Sequence, residues 1–192
     1  MSKLILTTSR RTHRRIRSFL KDLAQAIPHS HKINRGHTSI PELASLAQRI
    51  GAYGVAIVLG QKANPSGIRF YRLEEAELIK TYTIRITSVK LLRETPDSQK
   101  PLNTNRLVIR THEIPPTLSE KVLNALINTF RPAPIEGEPQ PTDVELVVAG
   151  EGEQAIVTFL CGGTGKPCGP SFKVFRVVEY EGRGEGNDTP SP

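Results

Sequence analysis

The sequence predicts an α/β chain (α+β in its segregation of elements) made of two similar half-domains, each with a mixed β-sheet and packed helices. Three observations predict this class. Apolar residues recur at helical spacing in three stretches, strand-length runs of alternating or continuous apolar residues fill much of the rest, and the order strand, helix, group of strands occurs twice. A single domain is expected over 1–182, divided into an N-terminal half, 1–93, and a C-terminal half, 104–182, by a polar linker, 94–103. The tail 183–192 is expected to be disordered.

Leu4 to Thr7 reads as a short strand, and Thr8 or Ser9 is suited to cap a helix. A helix is expected from about Arg10 to Ala26, ended by Pro28, because Ile16, Phe19, Leu20, Leu23 and Ile27 recur at spacings of three, four, seven and eleven. Ser39-Ile40-Pro41-Glu42 is a capping box opening a second helix, with Leu43, Leu46, Ala47 and Ile50 inward and Gly51 at its end. "GVAIVLG" reads as a fully buried central strand. Asn64-Pro65-Ser66-Gly67 reads as a turn into its hairpin partner "IRFYRL", and Tyr82, Ile84 and Ile86 alternate as in a half-buried strand.

The pattern then restarts. "RLVIRTH" reads as a strand, and Thr117-Leu118-Ser119-Glu120 as a capping box before a helix with Leu118, Val122, Leu126, Ile127 and Phe130 inward. A Pro-rich loop, the strand "VELVVA", a Gly150-Glu151-Gly152 turn, "AIVTFL" and "SFKVFRVVEY" complete the half. On that last strand Lys173 and Arg176 lie three apart, so they face opposite sides unless it bulges.

The formal charge of +7 is unevenly placed: residues 1–60 hold ten Lys/Arg against two Asp/Glu, and the remainder sixteen against seventeen. Such asymmetry points to a polyanionic partner, nucleic acid first and an anionic membrane surface second. On the first expected helix Arg10, Arg14, Arg17 and Lys21 form a second stripe, with Arg11 and Arg15 beside it. Like charges at that spacing repel, so either an external anion neutralises them or the packed face outweighs the cost. No run approaches the eighteen or so apolar residues of a membrane span and no signal peptide opens the chain, so a soluble, cytoplasmic protein is expected.

Chemistry has little support. Cys161 and Cys168 alone exclude a disulfide framework and a four-thiolate metal site, and point to a reducing compartment. "CGGTGKPCGP" resembles a phosphate loop, but Leu160 stands where glycine belongs and Pro167 where Ser or Thr must hold magnesium. His13, His29, His31, His37 and His112 lack metal-ligand spacing, and no nucleophile triad or paired carboxylates stand out. No catalytic residue, metal or cofactor is expected.

"HKINRG" is short and basic, and Gly36 can adopt positive φ; Lys32, Asn34 and Arg35 extend the cationic surface. Together, "TTSRRTHRRIRSFLKDLAQAIP", "KINRG", the Gly-led apolar strand and "GPSFKVFRVVEYEG" resemble the Brix-domain ribosome-biogenesis proteins, in the Imp4-like branch of the small-subunit processome. The resemblance implies two α/β halves akin to the anticodon-binding domain of class II aminoacyl-tRNA synthetases, and ribosomal RNA binding without catalysis. It singles out Ser9, Arg10, Asn34, Arg35, Gly36, Gly169 and Pro170, while Ser171 departs from the family's arginine. With the helix cations, the RNA-contacting candidates are Ser9, Arg10, Arg11, Arg14, Arg15, Arg17, Lys21, Lys32, Asn34, Arg35, Gly36, Gly169 and Pro170. The implied partners are ribosomal RNA and other assembly proteins, with a guide small RNA as a further candidate. The compact length is similar to archaeal members; in a eukaryotic cell the location would be nucleolar. Two alternatives stay open: a protein-interaction scaffold with a basic docking face, and an RNA-acting enzyme using the loop from Gly162 to Gly169.

Overall fold

The computed structural model describes residues 3–181; the tail expected at 183–192 lies outside them. The first half runs β1 (Lys3–Thr8), α1 (Arg14–Ala26), β2 (Ser30–Lys32), α2 (Ile40–Ile50), β3 (Ala52–Gln61), β4 (Asn64–Glu74) and β5 (Glu77–Lys90). The second runs β6 (Arg106–Arg110), α3 (Glu120–Phe130), β7 (Ala133–Ile135), β8 (Asp143–Glu151), β9 (Gln154–Cys161) and β10 (Ser171–Glu179). All the strands belong to one ten-stranded sheet, in the order β2-β1-β3-β4-β5-β10-β9-β8-β6-β7.

That order is a repeat. In the first half β1 lies parallel to β2 and β3, and β3, β4 and β5 are antiparallel. In the second, β6 lies parallel to β7 and β8, and β8, β9 and β10 are antiparallel. The halves fuse through the antiparallel β5–β10 ladder, so each supplies an inner strand to the other. One difference breaks the repeat: α2 joins β2 to β3, whereas an irregular segment joins β7 to β8.

Alternation along the strands sorts side chains to two faces. Leu4, Leu6, Ala56, Val58, Ile68, Phe70 and Ile84 join the buried sides of α1 and α3 in the larger core, and Phe19 of α1 meets Phe172 of β10 edge to face. Ile5, Val55, Ile57 and Tyr71 point the other way, against Leu43 and Ala47 of α2. β3 is therefore covered on both sides, which is why "GVAIVLG" carries no polar alternation.

α2 ends where its sequence signals place it. Ser39 accepts from the Glu42 backbone N–H, the Glu42 carboxylate accepts from that of Ser39, and Gly51 closes the helix at φ +67. α1 does not begin as expected. The Ser9 backbone N–H still donates to Val58 at 2.9 Å, so Ser9 continues the β1–β3 pairing. Its hydroxyl is spent on the Arg11 carbonyl. A turn follows, and the N-cap is His13, which places Arg10 and Arg11 ahead of the helix.

Three further expectations are corrected. The β3–β4 turn lies at Lys62-Ala63, both at positive φ, so Asn64 to Gly67 already belong to β4. The Thr117 capping box does not form: Thr117 and Ser119 pair through their backbones with Gly152, and α3 starts at Glu120. The two cysteines, too few for a framework, are nonetheless bonded to each other across the β9–β10 loop, with Cα atoms 5.6 Å apart. Their number therefore says nothing about compartment.

Candidate nucleic-acid interface

α1 has two sides of unlike chemistry. Ile16, Phe19, Leu20, Leu23 and Ala26 are buried, and Arg14, Arg17 and Lys21 lie exposed on the opposite side. Burying a large apolar side chain is worth about 1.5–3 kcal/mol, against about 0.2–0.5 kcal/mol lost per like-charge pair one turn apart, so packing wins and the cationic face persists. Still, the first turn holds no acidic residue and His13 offers no side-chain cap, which leaves the positive end of the helix surrounded by arginines. An external anion would relieve both.

Several predicted residues converge beside this turn. Thr8, Arg10, Thr12, Arg17, Lys32, Asn34, Arg35 and Gly36 line one depression of about 280 Å³. The short strand β2 creates it: Leu6 pairs with Lys32, and the Ile33 N–H donates to the Leu6 carbonyl, which draws 32–36 alongside α1. Gly36 adopts φ +50, the conformation its turn requires. Arg35 is only 8% exposed. Its Nε donates to the Thr38 carbonyl at 2.6 Å, and among the described residues no carboxylate pairs with it. Burial first, and then the nearby Arg10 charge, pull the guanidinium below its ordinary pKa. A buried cation without a counter-charge is costly. The Thr12 hydroxyl, not foreseen from the sequence, is also buried without a hydrogen-bond partner. Three arginines, Arg10, Arg17 and Arg35, thus line a space suited to a phosphate, with Thr12 beside them.

A second depression, about 350 Å³, runs between α1 and the segment that joins the halves, lined by Ser18, Lys21, Gln25, Arg93, Gln99 and Lys100. Arg93 reaches the Ser18 hydroxyl at 3.4 Å. Sequence reasoning missed Arg93 and Lys100 because nothing local ties them to α1. The tie is Asp22, whose carboxylate accepts from the Leu92 backbone N–H at 2.8 Å; burial raises its pKa.

Three predicted residues stand elsewhere. Arg15 points to the far flank of α1, where it pairs with Glu94 and donates to the Val89 carbonyl, so it is a tie within the fold. Gly169 and Pro170 are buried in the larger core, where a Cβ on Gly169 would lie 2.6 Å from that of Ala26 and 2.8 Å from that of Phe159. Gly169 therefore packs beneath α1, and both residues are buried. Ser9, Arg11 and Asn34 remain at the surface edge of the cationic face. Among the described residues no three His, Cys, Asp or Glu side chains gather to hold a metal ion, and no helix is long and apolar enough to cross a membrane.

Fold and site define an α/β protein of two repeated halves in one sheet, with a strongly cationic helix face. No family model matches the chain. It is 31% identical over 183 residues to a probable Brix domain-containing ribosomal biogenesis protein of Aeropyrum pernix, covering 93% of this chain and 98% of that protein. A protein of the same description from Sulfurisphaera tokodaii is 30% identical over 126 residues, 66% of each chain. A crystal structure of a probable ribosomal biogenesis protein from Aeropyrum pernix matches with TM-score 0.72 at 30% identity, over 91% of this chain and 96% of that one. Mil, an archaeal Imp4-like protein, shares the fold with TM-score 0.63 at 19% identity, over 92% and 99%. The chain belongs to the Brix domain-containing ribosomal biogenesis proteins.

Proposed function

We propose that this chain is an RNA-binding ribosome-biogenesis factor that holds ribosomal RNA during subunit assembly through the exposed side of α1 and the 32–36 turn, and that it has no catalytic activity of its own. The observation that carries the reading is Arg35: a buried guanidinium with no internal carboxylate, set against Arg10, Arg17 and the unpartnered Thr12 hydroxyl in one depression. A phosphodiester in this depression would supply the missing counter-charge and accept from the arginine donors around it. Binding is driven by phosphate neutralisation and counterion release, with little base selection, because Phe19 is buried and Tyr53 is half-buried on another part of the fold. Other assembly proteins supply the remaining specificity. Changing Arg10, Arg14 and Arg17 together to Glu tests this: RNA affinity is lost while the fold and assembly with partner proteins persist. Loss of partner assembly with RNA affinity intact would favour a protein-docking face instead.

A further inference from the structure

The sheet face turned away from α1 and α3 is only partly covered by α2, which packs over Ile5, Val55, Ile57 and Tyr71. Beyond α2, β10 breaks its alternation. Its register against β5 shifts between Val174 and Arg176, so Lys173 pairs with Thr87 and Arg176 with Arg85. Thr87 and Arg85 are two apart and share a face, so the bulge turns Lys173 and Arg176 to the same side. In β4, Gly67 pairs with Arg85 and Arg69 follows two residues on. Four cations from three adjacent strands therefore occupy one open face, with strands about 4.8 Å apart.

Among the described residues none of the four is paired with a carboxylate. Farther along the same face Arg106 and Arg110 are, with Asp143 and Glu145. The central charge is therefore left uncompensated where the neighbouring charge is not. Arg69 Nε is buried without a hydrogen-bond partner. Beside it, burial alone would raise the Tyr180 phenol, yet the Thr83 hydrogen bond and the Lys80 and Arg69 charges hold it below its ordinary range, a local sign of positive potential. Apolar surface accompanies the charge: Phe175 at the bulge is 45% exposed, and Ile156, the β9 partner of Lys173, is 51% exposed. Phe175, Arg85 and Arg176 border a groove of about 650 Å³ that reaches Ser9 and Gln61.

We propose that this bulged face is a second RNA surface, which takes a single-stranded segment with its phosphates on Arg85, Lys173 and Arg176 and a base stacked on Phe175. Unpaired cations around an exposed aromatic on an open sheet suit a single strand, which carries a phosphate and a flat unstacked base at every nucleotide, better than an acidic peptide, whose charged side chains carry no stacking ring of their own. The inference rests on the RNA reading above and adds a face on the other side of the sheet from α1.

The test uses the full chain and fluorescent single-stranded oligoribonucleotides of mixed sequence, with affinity measured across salt. Arg85→Gln with Arg176→Gln is expected to weaken binding about tenfold and to make the log–log salt slope shallower by about 1.4, the share of two phosphates on a single strand. Phe175→Ala is expected to weaken it at least about fivefold with the slope unchanged. All three positions are exposed, and melting curves matching the parent confirm that the variants fold. If these variants bind as the parent does while Arg14→Glu with Arg17→Glu abolishes binding, the second surface is refuted and the RNA reading stands. If the parent itself binds no RNA, both fall. Capture of an acidic protein by this face with RNA affinity unaltered would also overturn the proposal.

Discussion

Arg15 of α1 and Glu94 of the connecting segment, 79 positions apart, meet in a two-pronged ion pair, and the same guanidinium donates to the Val89 carbonyl at 2.8 Å. This cation therefore holds the inter-half segment against α1, while its neighbours Arg14 and Arg17 face outward. Arg15→Ala should lower stability by about 1 kcal/mol, since both partners are about one-third exposed, and should change RNA affinity less than twofold. Paired denaturant titrations and binding curves for Arg15→Ala and Arg17→Ala read the contrast, and the latter should lose affinity without losing stability.

The pair also sets a pH dependence. The Arg15 hydrogen bond, with help from the Leu91 N–H, holds Glu94 below the usual carboxylate range, so its contribution is present above about pH 4.3 and fades as pH falls through the lowered value. Asp22 has the opposite sign: burial raises it, so its neutral form favours folding at low pH and that contribution is lost as pH rises through the raised value. Glu94→Gln should therefore melt below the parent at pH 7 and approach it at pH 3. A constant gap between the two would show that Glu94 is not held by Arg15.

Gly169 packs too closely for any side chain. Gly169→Ala should cost about 1–3 kcal/mol, because the added methyl meets Ala26 and Phe159 in a filled core. RNA affinity of the folded fraction should be unchanged, as measured by chemical denaturation alongside binding. A binding defect without destabilisation would return Gly169 to the interface.

Closing the loop between Cys161 and Cys168, seven positions apart, should contribute about 2 kcal/mol through the unfolded chain. Cys161→Ser with Cys168→Ser, or a reductant strong enough to open the buried bond, should lower the melting temperature and leave RNA binding intact. An unchanged melting temperature would show that the loop is held by its backbone bonds alone.

Removing the α2 cap with Ser39→Ala should cost about 1 kcal/mol, because the Glu42 backbone N–H loses its side-chain acceptor and the Glu42 carboxylate loses the Ser39 hydroxyl. α2 lies over the smaller core, and the Glu42 carboxylate near Arg10 is kept in this variant, so affinity should hold. Thermal melts and binding curves compared at one salt concentration check both.

Legibility in the sequence followed the range of the forces involved. Ser39, Glu42 and Gly51 act within a few residues of one another, so α2 could be read almost to the residue. The apolar positions of α1 and the unbroken run in β3 likewise carry their burial in their spacing. What depended on a distant partner could not be read. Ser9 had the right chemistry for a cap, but a hydrogen bond to Val58 kept it in the sheet. The fate of Arg15 was decided by Glu94, and the place of Arg93 by the hydrogen bond that the neighbouring Leu92 N–H donates to Asp22. β2 and β7 are three-residue strands, too short for a period, and Lys62-Ala63 turns the chain without a glycine. The bulge at Phe175 shows only as one interrupted alternation, yet it decides which way Lys173 and Arg176 point.

The most direct measurement is the affinity of the parent chain for a ribosomal RNA fragment as a function of salt. With about five cations engaging phosphate, log affinity against log salt should fall with a slope of about −3.5 to −4.5, and Arg14→Glu with Arg17→Glu should flatten it. A slope near zero, or one untouched by those changes, would contradict a phosphate-gripping α1.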